Sequence, residues 1–281
     1  MYSAQITRLH KAAFVILLDQ SGSMAEELFF QGRTTSKAEA LAESVNTLIE
    51  EIIHRSRRER YVSNYFDIAI IGYGEGGINT PLGGGYKSIV DIDAMDVNSY
   101  TKITRHTLPS GKQIETFAQI RQWITPQANG QTPMGEALAK AQRLVASWCR
   151  KHPDSFPPIV INITDGEATD ASDEKIRRLA ERITSTATND GNTLLMNIHL
   201  ASQYDTTTES LRFPTETTTL PINRHSRLLY DTASTLPSLY NATLRELRGE
   251  EPPFRAVCYN ATLDDLVGLL AIGSLSINQM I

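Results

Sequence analysis

The 281-residue chain is 41% hydrophobic and 21% charged, with a net charge of −5, the balance of a soluble globular protein long enough to bury a sizeable core. An acidic surplus of this size gives no electrostatic ground for a nucleic-acid partner. The apolar run near the start, Ala12 to Leu18, is too short to span a bilayer. It ends at Asp19 with no small-residue cleavage pattern behind it, so neither a transmembrane helix nor a secretory leader is predicted and the expected location is the cytoplasm.

In chain order, Ala13–Leu18 is a continuous apolar run, as in a strand covered on both faces. Over Ser36–Arg57, Ala38, Leu41, Ala42, Val45, Leu48, Ile49, Ile52 and Ile53 recur three or four apart, which predicts a helix. The basic run that follows, His54 to Arg60, reads as its solvated end. Phe66–Tyr73 is a second strand, followed by a polar, glycine-rich region to about Lys112. Pro133 opens a helix that runs to about Arg150. Pro158–Thr164 is a strand ending in Asp165-Gly166, Ser172–Thr186 a helix with Ser172 as its N-cap, and Thr193–Ala201 another strand. Leu228–Arg248 reads as helical with an interruption near Pro237, Arg255–Tyr259 as a short strand and Leu263–Ile272 as a closing helix. Alternation of this kind predicts an α/β fold with a doubly wound, mostly parallel central sheet and helices on both faces. With no internal repeat and no Pro- or Ser-rich linker, one domain over 1–281 is expected, elaborated by a glycine-rich insertion around 74–124.

Ligands of such sheets bind beyond the C-terminal strand ends. Two segments put polar residues there: Val15-Ile16-Leu17-Leu18-Asp19-Gln20-Ser21-Gly22-Ser23-Met24 and Ile163-Thr164-Asp165-Gly166-Glu167. Asp19, Ser21 and Ser23 alternate, so an extended loop can turn all three towards one point. An EF-hand does not fit, because position 6 is Met24 instead of Gly and position 12 is Phe30 instead of Glu. Further oxygen donors are offered by Thr132, in Gly130-Gln131-Thr132-Pro133, and by Asp165. Two carboxylates and three hydroxyls form an all-oxygen set suited to a hard cation such as Mg²⁺, Mn²⁺ or Ca²⁺. A divalent ion facing two acids is only just neutralised and still attracts an anion from outside.

The pattern of D-x-S-x-S, a Thr in a Gly-x-Thr-Pro turn and a strand ending T-D-G resembles the von Willebrand factor A family over roughly Ala12 to Ile272. That resemblance implies the family's Rossmann-like fold with strand order 3-2-1-4-5-6. It also implies a metal-ion-dependent adhesion site at Asp19, Ser21, Ser23, Thr132 and Asp165, where a partner protein supplies a Glu or Asp carboxylate. The D-x-S-G-S-M loop, the segment Thr164–Asp170, Leu229–Pro237 and Phe254–Ile272 are most similar to the bacterial intracellular branch that includes tellurium-resistance-associated proteins. This implies action beside a kinase/phosphatase system in stress signalling. The stretch from Gly74 to Ile124 departs from that branch.

Other patterns point elsewhere. Gly72-Tyr73-Gly74-Glu75-Gly76-Gly77 matches G-x-G-x-x-G, but Ile78-Asn79-Thr80-Pro81 follows where a dinucleotide site needs a helix. The six histidines form no i, i+4 pair, so a zinc enzyme has no support. Cys149 and Cys258 read as reduced thiols. The competing class is a metal-dependent phosphohydrolase or phosphotransferase with Asp19 as nucleophile. It is disfavoured because Ser21 stands where a D-x-D motif has its second acid, and no motif supplies a cation for the transferred phosphate. The sequence therefore predicts a binding module and no enzyme.

Overall fold

The computed structural model describes residues 2–30, 33–107, 113–200, 210–221 and 223–261. The expected closing helix Leu263–Ile272 lies outside the described residues.

β1 (Ala12–Gln20) is the centre of the fold. It pairs in parallel with β2 (Phe66–Gly74) on one side and, on the other, with a strand at Ile159–Thr164. β3 (Gly77–Asn79) and β4 (Lys87–Ser88) lie antiparallel along the outer edge of β2. Numbering onward, the Ile159–Thr164 strand is β5, and β6 (Leu194–Leu200), β7 (Leu211–Arg212) and β8 (Val257–Ala261) extend the sheet from it. β6 and β8 continue in parallel; β7 is antiparallel at the far edge. The order is β7-β8-β6-β5-β1-β2-β3, with β4 also on β2. The expected 3-2-1-4-5-6 is found in the run β3-β2-β1-β5-β6-β8, and the observed sheet departs from it by the two short additions β4 and β7.

Every residue of β1 and β2 is buried, which is why these strands read as unbroken apolar runs. Alternate side chains serve opposite faces. Phe14, Ile16 and Leu18 join the core under α1 (Lys37–Ser56). Ala13, Val15 and Leu17 join the core under two further helices, Met134–Lys151 and Asp173–Thr184. With α2 the single turn Ile89–Asp93, those two are α3 and α4. α5 (Arg224–Thr232) gives Leu229 to the first core and Leu228 to the second, and α6 (Asn241–Arg248) adds Leu244 to the first. Each of the larger side chains, Val, Leu, Ile or Phe, contributes about 1.5–3 kcal/mol relative to remaining in water. No helix among the described residues is long and apolar enough to cross a membrane.

The helix starts follow their capping residues. Ser36 and Glu39 form a reciprocal capping box on α1, and Ser172 accepts a hydrogen bond from the Lys175 backbone N–H on α4. The strand expected over Arg255–Tyr259 begins two residues later, because Arg255 is spent on an isolated bridge to Thr235. The stretch after β2 is more ordered than a glycine-rich loop. It completes the sheet edge with β3 and β4, forms α2, and then builds an antiparallel hairpin, Ser99–Thr107 with Gln113–Arg121. The root of the hairpin is tied to α1. Arg121 reaches Glu50 through its Nε at 2.9 Å and Asp93 through Nη2 at 2.9 Å. The buried Asn46 side chain accepts from the Trp123 and Ile124 backbone N–H groups and donates to the Ile124 carbonyl.

Candidate metal centre

β1, β2 and β5 end side by side, and three loops meet there. Gly22 N–H donates to the Gly130 carbonyl at 3.0 Å, Asn129 N–H to the Gln20 carbonyl at 2.8 Å, and Glu75 N–H to the Asn129 carbonyl at 2.9 Å. These backbone bonds fix the loops independently of the side chains they carry. Gly130 has φ +78°, and a side chain there would lie 2.6 Å from Glu75 Cα, so both conformation and space require glycine.

Asp19 is fully buried. Its Oδ1 accepts from the Ser21 N–H at 2.9 Å and its Oδ2 from the Thr164 hydroxyl at 2.7 Å. Ser23 Oγ donates to Asp165 Oδ1 at 2.6 Å and lies 3.1 Å from Ser21 Oγ. Asp19, Ser21, Ser23 and Asp165 thus form one connected group. Thr132 approaches from the third loop, its Oγ1 4.0 Å from where a side chain on Gly166 would begin.

The segment Thr164–Asp170 divides its work. Asp165 faces the acid and serine group. Thr169 clamps Thr132: its Oγ1 accepts from Thr132 N–H at 3.0 Å, and its own N–H donates to the Thr132 carbonyl at 3.0 Å. Asp170 accepts from the N–H groups of Gly135 and Glu136, both at 2.9 Å. It therefore caps α3, whose N-cap residue Pro133 provides no side-chain cap of its own.

Below this edge a buried polar row crosses the sheet. Tyr73 OH donates to Asn162 Oδ1 at 3.0 Å, and Asn162 Nδ2 donates to Asn197 Oδ1 at 3.2 Å. Asn197 Nδ2 then donates to the Leu229 carbonyl at 2.9 Å and to Thr232 Oγ1 at 3.0 Å on α5. The full burial of Tyr73 raises its phenol pKa well above the usual value, and the nearby charge of Asp19 adds to the rise.

Burial likewise pushes the Asp19 carboxyl up. Hydrogen bonds from Ser21 and Thr164 pull it back, and the neighbouring charge of Asp165 adds to the rise. Among the described residues, the bonds to Asp19 come from neutral donors only. A buried carboxylate held this way lacks a counter-charge. The donor set is hard oxygen throughout, and a divalent cation fits it in both chemistry and sign.

Two features were not foreseen. Lys37, the first residue of α1, is only 1% exposed, and its Nζ lies 2.8 Å from Asp165 Oδ2 and 2.8 Å from Glu26 Oε2. Its signal was available: it occupies the helix's apolar stripe with Leu41 and Leu48, in the first turn where the helix dipole disfavours a cation. A lysine there requires acids nearby. The second feature is His199 and His225, remote in sequence but with ring centroids 5.6 Å apart beside the Asp165 loop. No spacing rule could have paired them.

The G-x-G-x-x-G segment leads into β3, with no helix at the position a pyrophosphate needs. Gly72 and Gly74 instead admit Gln20. A side chain on Gly72 would lie within 2.2 Å of Gln20 Oε1, and one on Gly74 within 2.6 Å of the Gln20 carbonyl oxygen. Both cysteines are buried and neither is in a disulfide.

No family profile matches the sequence, and no curated relative matches it. Among solved structures, one similar to this chain is a von Willebrand factor type A protein from Catenulispora acidiphila, at 17% identity and a TM-score of 0.41, covering 68% of this chain and 34% of that one. Another is the vWF domain of the type V pili tip protein Mfa5 from Porphyromonas gingivalis, at 12% identity and a TM-score of 0.30, covering 57% of this chain and 39% of that one. The chain thus spans little more than a third of the length of either structure.

Proposed function

We propose that the chain is a divalent-metal-dependent protein-interaction module of the von Willebrand factor A type. Asp19, Ser21, Ser23, Thr132 and Asp165 would hold Mg²⁺, with Mn²⁺ or Ca²⁺ as substitutes. The single observation carrying this reading is Asp19: a fully buried carboxylate bonded by neutral donors, at the meeting point of three loops. A bound divalent ion supplies a positive centre to which an external Glu or Asp carboxylate is attracted. The chain's own residues do the rest. The Gly22–Gly130 and Asn129–Gln20 backbone bonds hold the loops in register, while Thr169 clamps Thr132 and Asp170 caps the helix that follows it.

Binding is favoured over phosphoryl transfer by the same geometry. Both Asp19 oxygens are engaged and the residue is enclosed, which does not suit in-line attack. The cation that a phosphotransferase needs is present in Lys37, but that ammonium is enclosed between Asp165 and Glu26 and faces no substrate. Resemblance to the tellurium-resistance branch makes a cytoplasmic kinase/phosphatase signalling system the natural place to seek the partner.

Calorimetric titration of chelator-stripped protein with Mg²⁺ and Mn²⁺ tests the metal site. Wild type is expected to bind with one-to-one stoichiometry and Asp19→Ala to lose the heat. Unchanged binding by Asp19→Ala would sink the assignment. Partner capture is expected in Mg²⁺ and to be lost in EDTA.

A further inference from the structure

Lys37 does not belong to the ligand set, yet it is built into the site more firmly than any of the hydroxyls. It starts α1, where the helix dipole opposes a positive charge. Its backbone N–H donates to the Glu26 carbonyl at 3.0 Å, and its ammonium is enclosed between two carboxylates. The two oxygens of Asp165 therefore differ. Oδ2 faces the ammonium at 2.8 Å, whereas Oδ1 faces the Ser23 hydroxyl, which in turn neighbours Ser21. An oxygen engaged by a fixed ammonium is withheld from a second cation.

We infer that Lys37 is a tethered monovalent cation that reserves Asp165 Oδ2, limits this carboxylate to one-oxygen coordination and so biases the site towards Mg²⁺ and Mn²⁺ against Ca²⁺. The inference rests on the metal-site reading above. Its physical basis is coordination number. Ca²⁺ takes six to eight oxygens and readily uses both oxygens of a carboxylate, whereas Mg²⁺ takes six in a rigid octahedron, keeps waters and needs one oxygen per acid. Asp19 adds to the restriction, since each of its oxygens already accepts a hydrogen bond.

Charge has a second effect. Asp19, Asp165 and Lys37 sum to −1, so a divalent ion leaves this group at +1. Glu26 offsets part of that from a position 39% exposed, where solvent screens it. The lysine thus weakens divalent binding and strengthens the attraction of the loaded site for an acidic partner.

The test is calorimetric titration of the full chain with Mg²⁺ and, separately, Ca²⁺, comparing wild type with Lys37→Met. Wild type is expected to prefer Mg²⁺. Lys37→Met is expected to bind both ions more tightly, with Ca²⁺ gaining about tenfold or more and the Mg²⁺-to-Ca²⁺ preference falling accordingly. Lys37→Gln, which keeps a hydrogen-bond donor for Asp165 but no charge, is the second variant where methionine disturbs folding. It is expected to shift the preference in the same direction. A purely structural lysine would lower stability without moving the ratio of the two ions. Wild-type binding with an unmoved ratio in the variants overturns this inference alone. Absence of divalent binding in wild type and variants overturns the metal-site reading, and this inference with it.

Discussion

Helix α1 supports two regions built on opposite terms. Its first residue, Lys37, enters the loops at the end of β1, where polar and charged side chains are buried and bonded to one another. Its middle, through Asn46 and Glu50, holds the root of the 99–121 hairpin, where apolar side chains face solvent: Phe117 is 66% exposed and its cross-strand neighbour Ile103 47%. The site edge has its geometry specified many times over, by three backbone bonds between loops, two clamps from Thr169 and Asp170 and the Tyr73–Asn162–Asn197 row. The hairpin is specified at its base. Dense internal bonding and exposed apolar surface fall to separate pieces of the same chain.

Four measurements would break or sharpen that contrast. Tyr73→Ala removes a wholly buried ring and the end of the polar row, and is expected to cost about 4 kcal/mol in chemical denaturation. A cost below about 1 kcal/mol would mean that the site edge is loosely packed. Arg121→Ala frees Glu50 and Asp93 at the hairpin root, with an expected loss of about 2 kcal/mol. Faster hydrogen exchange is then expected over 99–121, with the site loops unaffected. A uniform loss of protection would show that the two regions are not separate.

The third measurement concerns pH. Burial holds His225 below its ordinary pKa of 6.5, against the opposing pull of Glu167, Asp173 and Asp165. Its native form is therefore the neutral one. The unfolded chain takes up a proton below 6.5, so His225 favours folding above that value and loses this contribution as pH falls through the window towards its lower native pKa. His225→Phe is expected to flatten the decline in stability between about pH 7 and pH 5. An equally steep decline would assign it to other groups. The smallest effect belongs to Phe117→Ser, expected to change stability by no more than about 0.5 kcal/mol. A larger loss would show that the exposed ring is packed in solution.

What the sequence disclosed follows the same division. Strands buried on both faces announce themselves as apolar runs, so β1, β2, β5 and β6 were legible within a residue or two, as were α1, α3 and α4 from periodicity and caps. The hairpin was not. Over Ser99–Ile103 the half-buried positions are Tyr100 and Lys102, whose polar tips break the apolar pattern, so the strand carries little hydrophobic signal. In the same way, the grouping of Asp19, Ser21, Ser23 and Asp165 was legible because acids and hydroxyls at strand ends stand out. Lys37 was overlooked because a lysine near a helix start passes for a surface residue unless its place on the apolar stripe is checked. The His199–His225 contact depends on β6 and α5 being brought together and has no local trace.

Gly74 has a bearing on redesign. The backbone of Gln20 and that of Asn129 both come within 3.1 Å of where its side chain would start. Substitution along the rim of the proposed site therefore meets unequal freedom within one short stretch. Gly76 has open space around its missing side chain, although its φ of +75° favours glycine or asparagine. Gly74 admits no replacement without spreading the loops that carry Asp19 and Thr132. A library of variants should leave that glycine alone and place its diversity at exposed hairpin positions such as Ile103 and Phe117.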